Sequence, residues 1–348
     1  MTERSEVAKI AVLAFDGCMA TSVTGPVEFF TVANALSDLI RPEKPVRFEC
    51  RIVTARRKPV AAGIGTRFVG AAAWPRPDAL IVPGIWHATA RELGAVTKGL
   101  AAEAALLRDF RRRGALIAGV CSGTTLLAEA GLLDGRRATT SWWLGELFRR
   151  RYPAVRLALD ELVTHDGDIW CAGAATSYQD LCLKLIQRFA GPDVSALTAR
   201  FMLVDPGRSS QAPYMLHDFG PVAADPAVAK AQVWAKRNLA APVGLADLAR
   251  AAAVSPRTLI RRFHDAVGQT PLGYVQQLRI ERAKMLLATS SLPVQNVLDR
   301  TGYADMSSFR KLFRSRTGMS PKGYRERFRI GRERTKPPTR RVAQAAAS

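Results

Sequence analysis

The carboxyl-terminal third of this chain is written twice. A shift of 50 positions places Leu248 on Leu298, Leu259 on Phe309 and Phe263 on Phe313. The same shift places Gly268 on Gly318, Pro271 on Pro321 and Tyr274 on Tyr324. That many gap-free matches mark a duplicated unit, and two copies are too few for a solenoid. Each copy reads as a short helix, a tight turn and a second helix. In the first, LADLARAA leads and AVS turns; Ser255 then offers an N-cap and Pro256 a first-turn proline. PRTLIRRFHDAVG spaces Leu259, Phe263 and Val267 along one face and stops at Gly268. In the second, VQNVLDRTG, YAD and MSSFRKLFRSRTG repeat the plan, with Phe309 and Phe313 as the buried pair. PLGYVQQLRIERAKMLLATS joins the copies as one long helix.

Two helices around a tight turn, the second basic on its free side, form the device that reads the major groove of DNA. Two such readers held at a fixed separation suit successive grooves, which repeat roughly every 34 Å. The charge agrees with this. Residues 226–348 hold 24 Lys and Arg against 7 Asp and Glu, whereas residues 1–225 hold 27 against 23. A basic surplus confined to one third of a chain is a nucleic-acid footprint rather than a general coating.

SPRTLIRRFHDAVGQTPLGYVQQLRIERAKMLL and GYADMSSFRKLFRSRTGMSPKGYRERF resemble the DNA-binding domain of the AraC/XylS family of transcription regulators. The resemblance covers about 226–328. Carried over by position, it implies base contacts at Arg257, Thr258 and Arg261 in the first recognition helix. In the second it implies Ser307, Arg310 and Lys311.

The amino-terminal half follows a different rhythm. VAKIAVLAF (7–15), FECRIV (48–53), ALIVP (79–83) and ALIAGV (115–120) are buried-strand runs. Between them lie TGPVEFFTVANALSD, a helix expected to start at Gly25-Pro26, and a helix over 103–113. Strands alternating with helices at this spacing predict a parallel sheet covered on both faces. Ligands of such sheets collect at the carboxyl ends of the strands. The sharpest feature there is Gly119-Val120-Cys121-Ser122-Gly123, a G-x-C-x-G arrangement at a strand-to-helix junction, the geometry of a nucleophile elbow. A thiol at a helix N-terminus has its thiolate favoured by the dipole, yet catalysis also needs a base.

With GVCSGTTLLAEAGLLDGRRATTSWW in view, residues 7–190 resemble the DJ-1/PfpI branch of the class I glutamine amidotransferase-like superfamily. This implies a flavodoxin-like sheet. In that family's enzymes a histidine commonly follows the A-T-T run, where this chain has Ser141 and then Trp142 and Trp143. Ser22 stands where hydrolytic relatives often carry an aspartate. Glu28 matches an acidic family position, and Gly84 a glycine whose amide helps form an oxyanion site. The elbow is therefore expected to be catalytically degenerate. A small metabolite, nitrogen-containing as the same resemblance implies, is expected at Glu28, Gly84, Cys121, Ser122, Ser141 and Trp142. Of His87, His165, His217 and His264, only His87 lies near a strand end where it could serve as a base.

The expected protein is an α/β flavodoxin-like (DJ-1/PfpI-like) domain over 1–190 and a linker over 191–225. An all-α domain of two helix-turn-helix motifs follows over 226–328, then a basic, disordered tail over 329–348. Part of the linker, VSALTARFMLV, is allowed to be a helix packed on the first domain. The expected function is that of a sequence-specific, effector-controlled transcription regulator; the alternative is a cysteine-dependent hydrolase or hydratase fused to a DNA-binding domain. Expected partners are double-stranded DNA, the effector, RNA polymerase and a second copy of the chain. No cofactor or metal is expected: the five cysteines are scattered, with no C-x-x-C pair. Without a membrane-length apolar run or a signal segment, a cytoplasmic, nucleoid-associated location in a bacterial cell is expected.

Overall fold

A computed structural model of the protein describes residues 7–56, 58–71, 74–216, 223 and 225–329. The expected tail from 330 onward and His217 lie outside these residues. The chain divides into two compact units, Met1–Met215 and Leu216–Ser348.

In the first unit, β1 (Val7–Leu13) is followed by α1 (Thr21–Ile40) and β2 (Arg47–Val53). A small ribbon, β3 (Val60–Ala61) with β4 (Arg67–Phe68), precedes β5 (Ala79–Val82). Next come α2 (Ala90–Gly99), α3 (Ala101–Arg112), β6 (Leu116–Val120), α4 (Thr124–Glu129) and β7 (Arg137–Ala138). The unit continues with α5 (Gly145–Arg151), β8 (Arg156–Leu157), β9 (Val163–Asp166), β10 (Ile169–Ala172), α6 (Tyr178–Ala190) and α7 (Pro192–Phe201).

The main sheet has the order β2-β1-β5-β6-β10-β9, with β9 the antiparallel edge strand. The four residues of β5 and the five of β6 are buried, which is why these runs carry no polar alternation. The edge strand β9 does alternate: Thr164 is buried and His165 exposed. One apolar core runs through the unit, from Ile10 and Val12 on β1 to Leu185 and Ile186 on α6.

Two local expectations change. The first helix begins at Thr21, ahead of Pro26, and buries Ser22, Val23, Phe29 and Phe30 on one face. The segment expected to link the domains is folded against the first unit as far as Met215. Gly191 takes a positive φ of 88°, and Pro192 then opens α7 as a first-turn proline. The α7 helix packs on α1 and α6 and is tied by a bidentate Arg41–Asp193 pair. Beyond it, Arg208 forks onto the buried Asp180 of α6, and Gln211, 1% exposed, enters the core. These ion pairs and the buried amide anchor the segment.

The second unit holds α8 (Pro226–Arg237), α9 (Leu245–Ala251), α10 (Pro256–Val267), α11 (Pro271–Thr289), α12 (Val294–Arg300), α13 (Met306–Thr317) and α14 (Pro321–Phe328). The duplication is visible in its caps. Ser255 and Asp305 accept from the third-residue amides of α10 and α13, and Gly268 and Gly318 close both helices in the left-handed conformation. The unit has two small cores rather than one. Leu248, Leu259, Phe263, Tyr274, Val275 and Leu278 belong to the first; Ile280, Leu287, Leu298, Phe309, Phe313 and Tyr324 belong to the second. Successive turns of α11 thus serve both cores, and its apolar residues run around the helix rather than along one stripe.

Candidate functional site

The elbow forms where the sequence places it. Strand β6 ends at Val120, and Cys121 turns the chain at a φ of 55°, a conformation that is rare and strained for a side-chain-bearing residue. Close packing makes the turn possible: a Cβ on Gly123 would fall on the carbonyl oxygen of Pro83. One on Gly84 would approach Met19 Sδ at 2.7 Å and Cys121 Cβ at 3.3 Å. Gly84 and Cys121 are therefore neighbours. Met19 also lies against Gly84, its amide donating to the Gly84 carbonyl at 2.8 Å.

The thiol is enclosed. Cys121 is 1% exposed, and Ser122 and Ser141 are fully buried. Ser141 Oγ donates to Cys121 Sγ at 3.0 Å. Ser122 Oγ accepts from the Ile85 amide and donates to the Ile85 carbonyl, each at 2.8 Å, so it locks the β5 loop to the elbow. Thr124 Oγ1 bonds the Cys121 carbonyl and Thr140 Oγ1, both at 2.7 Å. Gln211 Nε2 reaches the Thr140 carbonyl at 2.8 Å from the other end of the unit. Burial pushes the Cys121 thiol above its ordinary value of 9.0, while the Ser141 and Ser122 hydrogen bonds work in the opposite direction. Desolvation outweighs the helix-end position, so the protonated thiol is the favoured form.

The remaining expected residues divide. Trp142 follows Ser141 and is half-buried, packed edge to face on the exposed Trp143 with ring centroids 5.3 Å apart. Glu28 does not join the elbow. It is exposed on α1, because the face carrying Ser22, Gly25, Phe29 and Ala33 is the one that packs inward. Ser22 is fully buried and its hydroxyl has no hydrogen-bond partner. His87, the one candidate base, spends Nδ1 on the Ile85 carbonyl at 2.8 Å. His165 is exposed against Trp170, and His264 is exposed on α10. No cluster of metal-ligating side chains occurs among the described residues.

The second unit presents a different surface. Arg257 and Arg261 on α10 are exposed, as are Ser307, Arg310 and Lys311 on α13. Thr258 is half-buried, its hydroxyl 2.8 Å from that of Ser255. Among the described residues, none of these cations is held in an ion pair, whereas Arg262 lies 3.6 Å from Asp225. The buried Leu259 and Phe263 of α10 match Phe309 and Phe313 of α13, so both basic faces point away from their own cores. One residue that periodicity did not reveal joins the copies. Arg279 of α11 donates to the carbonyls of Leu239, at 3.1 Å, and Ala241, at 2.7 Å, and lies over the Tyr303 ring. A Cβ at Gly302, where φ is 74°, would fall on that same Leu239 carbonyl. Neither Arg279 nor Gln211 carries a sequence signal, since each works through backbone carbonyls far away in the chain.

A family model described as the DJ-1/PfpI family matches residues 8–188, just over half the chain. A model described as a helix-turn-helix domain matches residues 248–327. The HTH-type transcriptional regulator CdhR of Pseudomonas aeruginosa is 30% identical over 62% of this chain and 64% of its own length, so the chain spans slightly less than two thirds of that relative. The HTH-type transcriptional regulator GbdR of the same species is 26% identical over 92% of this chain and 85% of its own length. A solved THiJ/PfpI family protein from Pseudomonas syringae aligns with 21% identity over 57% of this chain and 76% of that chain, at a TM-score of 0.47. No described helix is long and apolar enough to cross a membrane.

Proposed function

Since the chain belongs to the DJ-1/PfpI family and carries a helix-turn-helix domain behind that fold, we propose that it is a DNA-binding transcription regulator. The observation carrying this reading is the exposed Arg257 and Arg261 on α10 and Arg310 and Lys311 on α13, none of them in an ion pair among the described residues, with α11 contributing to the cores beneath both helices. Arg257, Thr258 and Arg261 read one groove; Ser307, Arg310 and Lys311 read the next. Double-stranded DNA is the direct partner, with RNA polymerase and a second copy of the chain as further partners. The test is selection of bound duplexes from a random pool, followed by fluorescence anisotropy at moderate ionic strength. A regulator prefers its selected sequence over random duplex by several orders of magnitude. Equal affinity for both refutes the reading.

The elbow serves this function as a binding site and not as a reaction centre. A buried protonated thiol that is hydrogen-bonded, among the described residues, by the hydroxyl of Ser141 suits recognition better than turnover. An effector entering near Cys121, Ser122, Ser141, Gly84 and Trp142 has to displace Met19 or open the serine contacts. That opening biases the populations of two arrangements of the protein. Thermal-shift screening with small nitrogen-containing compounds checks this, with Trp142→Ala as control. An unchanged response in that variant removes Trp142 from the site. The hydrolase alternative predicts turnover abolished by Cys121→Ser, whereas the regulator keeps its DNA binding in that variant.

A further inference from the structure

The carboxyl edge of the sheet carries a cavity of about 420 Å³. Asp16 from the loop after β1, Thr54, Arg56 and Lys58 from the loop after β2, and Leu100 and Glu103 at the α2–α3 junction line it. No elbow residue contributes to it. Strand β1 leads through α1 to β2 on one side, and the rest of the sheet builds outward from its other side through β5. The cavity thus lies past the carboxyl ends of β1 and β2, the side of an open α/β sheet on which ligands collect. Its volume falls within the range of small-molecule sites.

Two oxygens among its lining residues lack partners. Glu103 and Thr54 are each 6% exposed, and neither Glu103 Oε2 nor Thr54 Oγ1 has a hydrogen bond. A buried carboxylate oxygen left unpaired is costly and calls for a donor. The start of α3 accounts for the sign of the charge at Glu103, because a helix N-terminus favours an anion. It does not account for the missing donor, since Glu103 makes no capping hydrogen bond. Asp16 is already engaged, accepting from the Ala61 amide at 2.8 Å. Arg56 and Lys58 are exposed, and neither is held in an ion pair among the described residues. The cavity is therefore lined by a buried carboxylate and a buried hydroxyl without partners and by two exposed cations.

From this arrangement we infer that the cavity is a second ligand site, taking a small zwitterion whose N–H cation meets Glu103 and Thr54 and whose carboxylate meets Arg56 and Lys58. The N–H donors are essential: a quaternary ammonium carries the charge but cannot satisfy either oxygen. The site is independent of the DNA-reading proposal, and each can fail without the other.

Calorimetry on the full-length protein tests it with glycine, β-alanine, γ-aminobutyrate, L-lysine and ε-aminocaproate, which span a range of charge separations. Caproate, hexylamine and the trimethylammonium analogue of ε-aminocaproate are controls, each lacking one required feature. At least one zwitterion is expected to bind, with the corresponding controls weaker by tenfold or more. Glu103→Gln, which keeps the shape, is expected to weaken that binding tenfold or more, as is the double change Arg56→Ala/Lys58→Ala. Circular dichroism confirms that each variant is folded. The inference is overturned if no zwitterion binds at millimolar concentration, if the trimethylammonium analogue binds as tightly, or if the folded Glu103 variant retains full affinity. Operator binding measured on the same preparation reports separately on the DNA reading.

Discussion

Ser141 Oγ points its hydrogen at Cys121 Sγ from 3.0 Å, in the place where the family's enzymes commonly carry a histidine. A hydroxyl can hold a thiol but cannot take its proton at neutral pH. The elbow keeps its strained backbone, with a φ of 55° at Cys121, and holds the thiol by a hydroxyl. Around it, Thr124, Thr140 and Ser122 form a closed set of short side-chain bonds. Burial of the thiol within this set favours its protonated form.

Cys121 is therefore expected to resist alkylation. Burial raises its pKa and removes it from solvent together. In native protein, iodoacetamide should leave Cys121 unmodified over a period that fully labels the denatured chain. Peptide mass spectrometry reads the result, and rapid native labelling at Cys121 contradicts the closed elbow.

Stability should fall on the alkaline side. Burial raises Cys121 above its ordinary value of 9.0 and pushes Cys50 and Cys171 up to about 12. A group whose folded pKa is raised contributes stability that is complete below the unfolded value. The contribution is lost as pH rises through the folded value, because the unfolded thiols ionise first. The melting temperature should hold below about pH 9, where unfolded thiols begin to ionise, and decline above it. A melting temperature that rises across this window reverses the sign of the argument.

Removing Arg208 should loosen the end of the first unit. Asp180 is 5% exposed and its partner's side chain 20%, so Arg208→Ala leaves a nearly buried carboxylate alone. The expected loss is about 3 kcal/mol in urea unfolding. Replacing both residues, as Asp180→Leu/Arg208→Met, should cost much less, because no unpaired charge remains. Equal losses in the two variants would assign the effect to packing.

On the DNA surface, Arg310→Ala or Arg261→Ala should weaken the selected operator by about 1–3 kcal/mol and relax preference at one base position. The melting temperature should not move, since both side chains are exposed. Anisotropy titrations across single-base operator variants distinguish a base contact from a phosphate contact, which weakens all sequences alike.

Arg279 should govern how the two readers act together. Arg279→Ala frees the Leu239 and Ala241 carbonyls, at an expected cost of about 2 kcal/mol. Its effect on a duplex with both half-sites should exceed its effect on a single half-site. Gly302→Ala should destabilise the same junction, because it strains a φ of 74° and drives a methyl into the Leu239 carbonyl. Equal effects on one and two half-sites would remove Arg279 from the coupling.

Much of this architecture is written locally. The caps Ser255 and Asp305, the stops Gly268 and Gly318, and the pairs Leu259–Phe263 and Phe309–Phe313 specify two helical readers. Each depends only on helical period and backbone satisfaction at neighbouring positions. The strand runs and the glycines around Cys121 likewise specify a parallel sheet and its elbow, since a buried strand and a tight turn restrict which residues can occupy them. What local pattern could not decide is which side chains meet across the fold. Ser141 meets Cys121 across 20 positions of chain, and Glu28 faces solvent because α1 buries its other face. Gln211 and Arg208 lie in a stretch whose composition reads as linker, yet they anchor it through partners tens of residues away. Arg279 joins the two copies through carbonyls that any residue could supply. Contacts of this kind depend on backbone positions and burial set by the whole chain, and no spacing in the sequence encodes them.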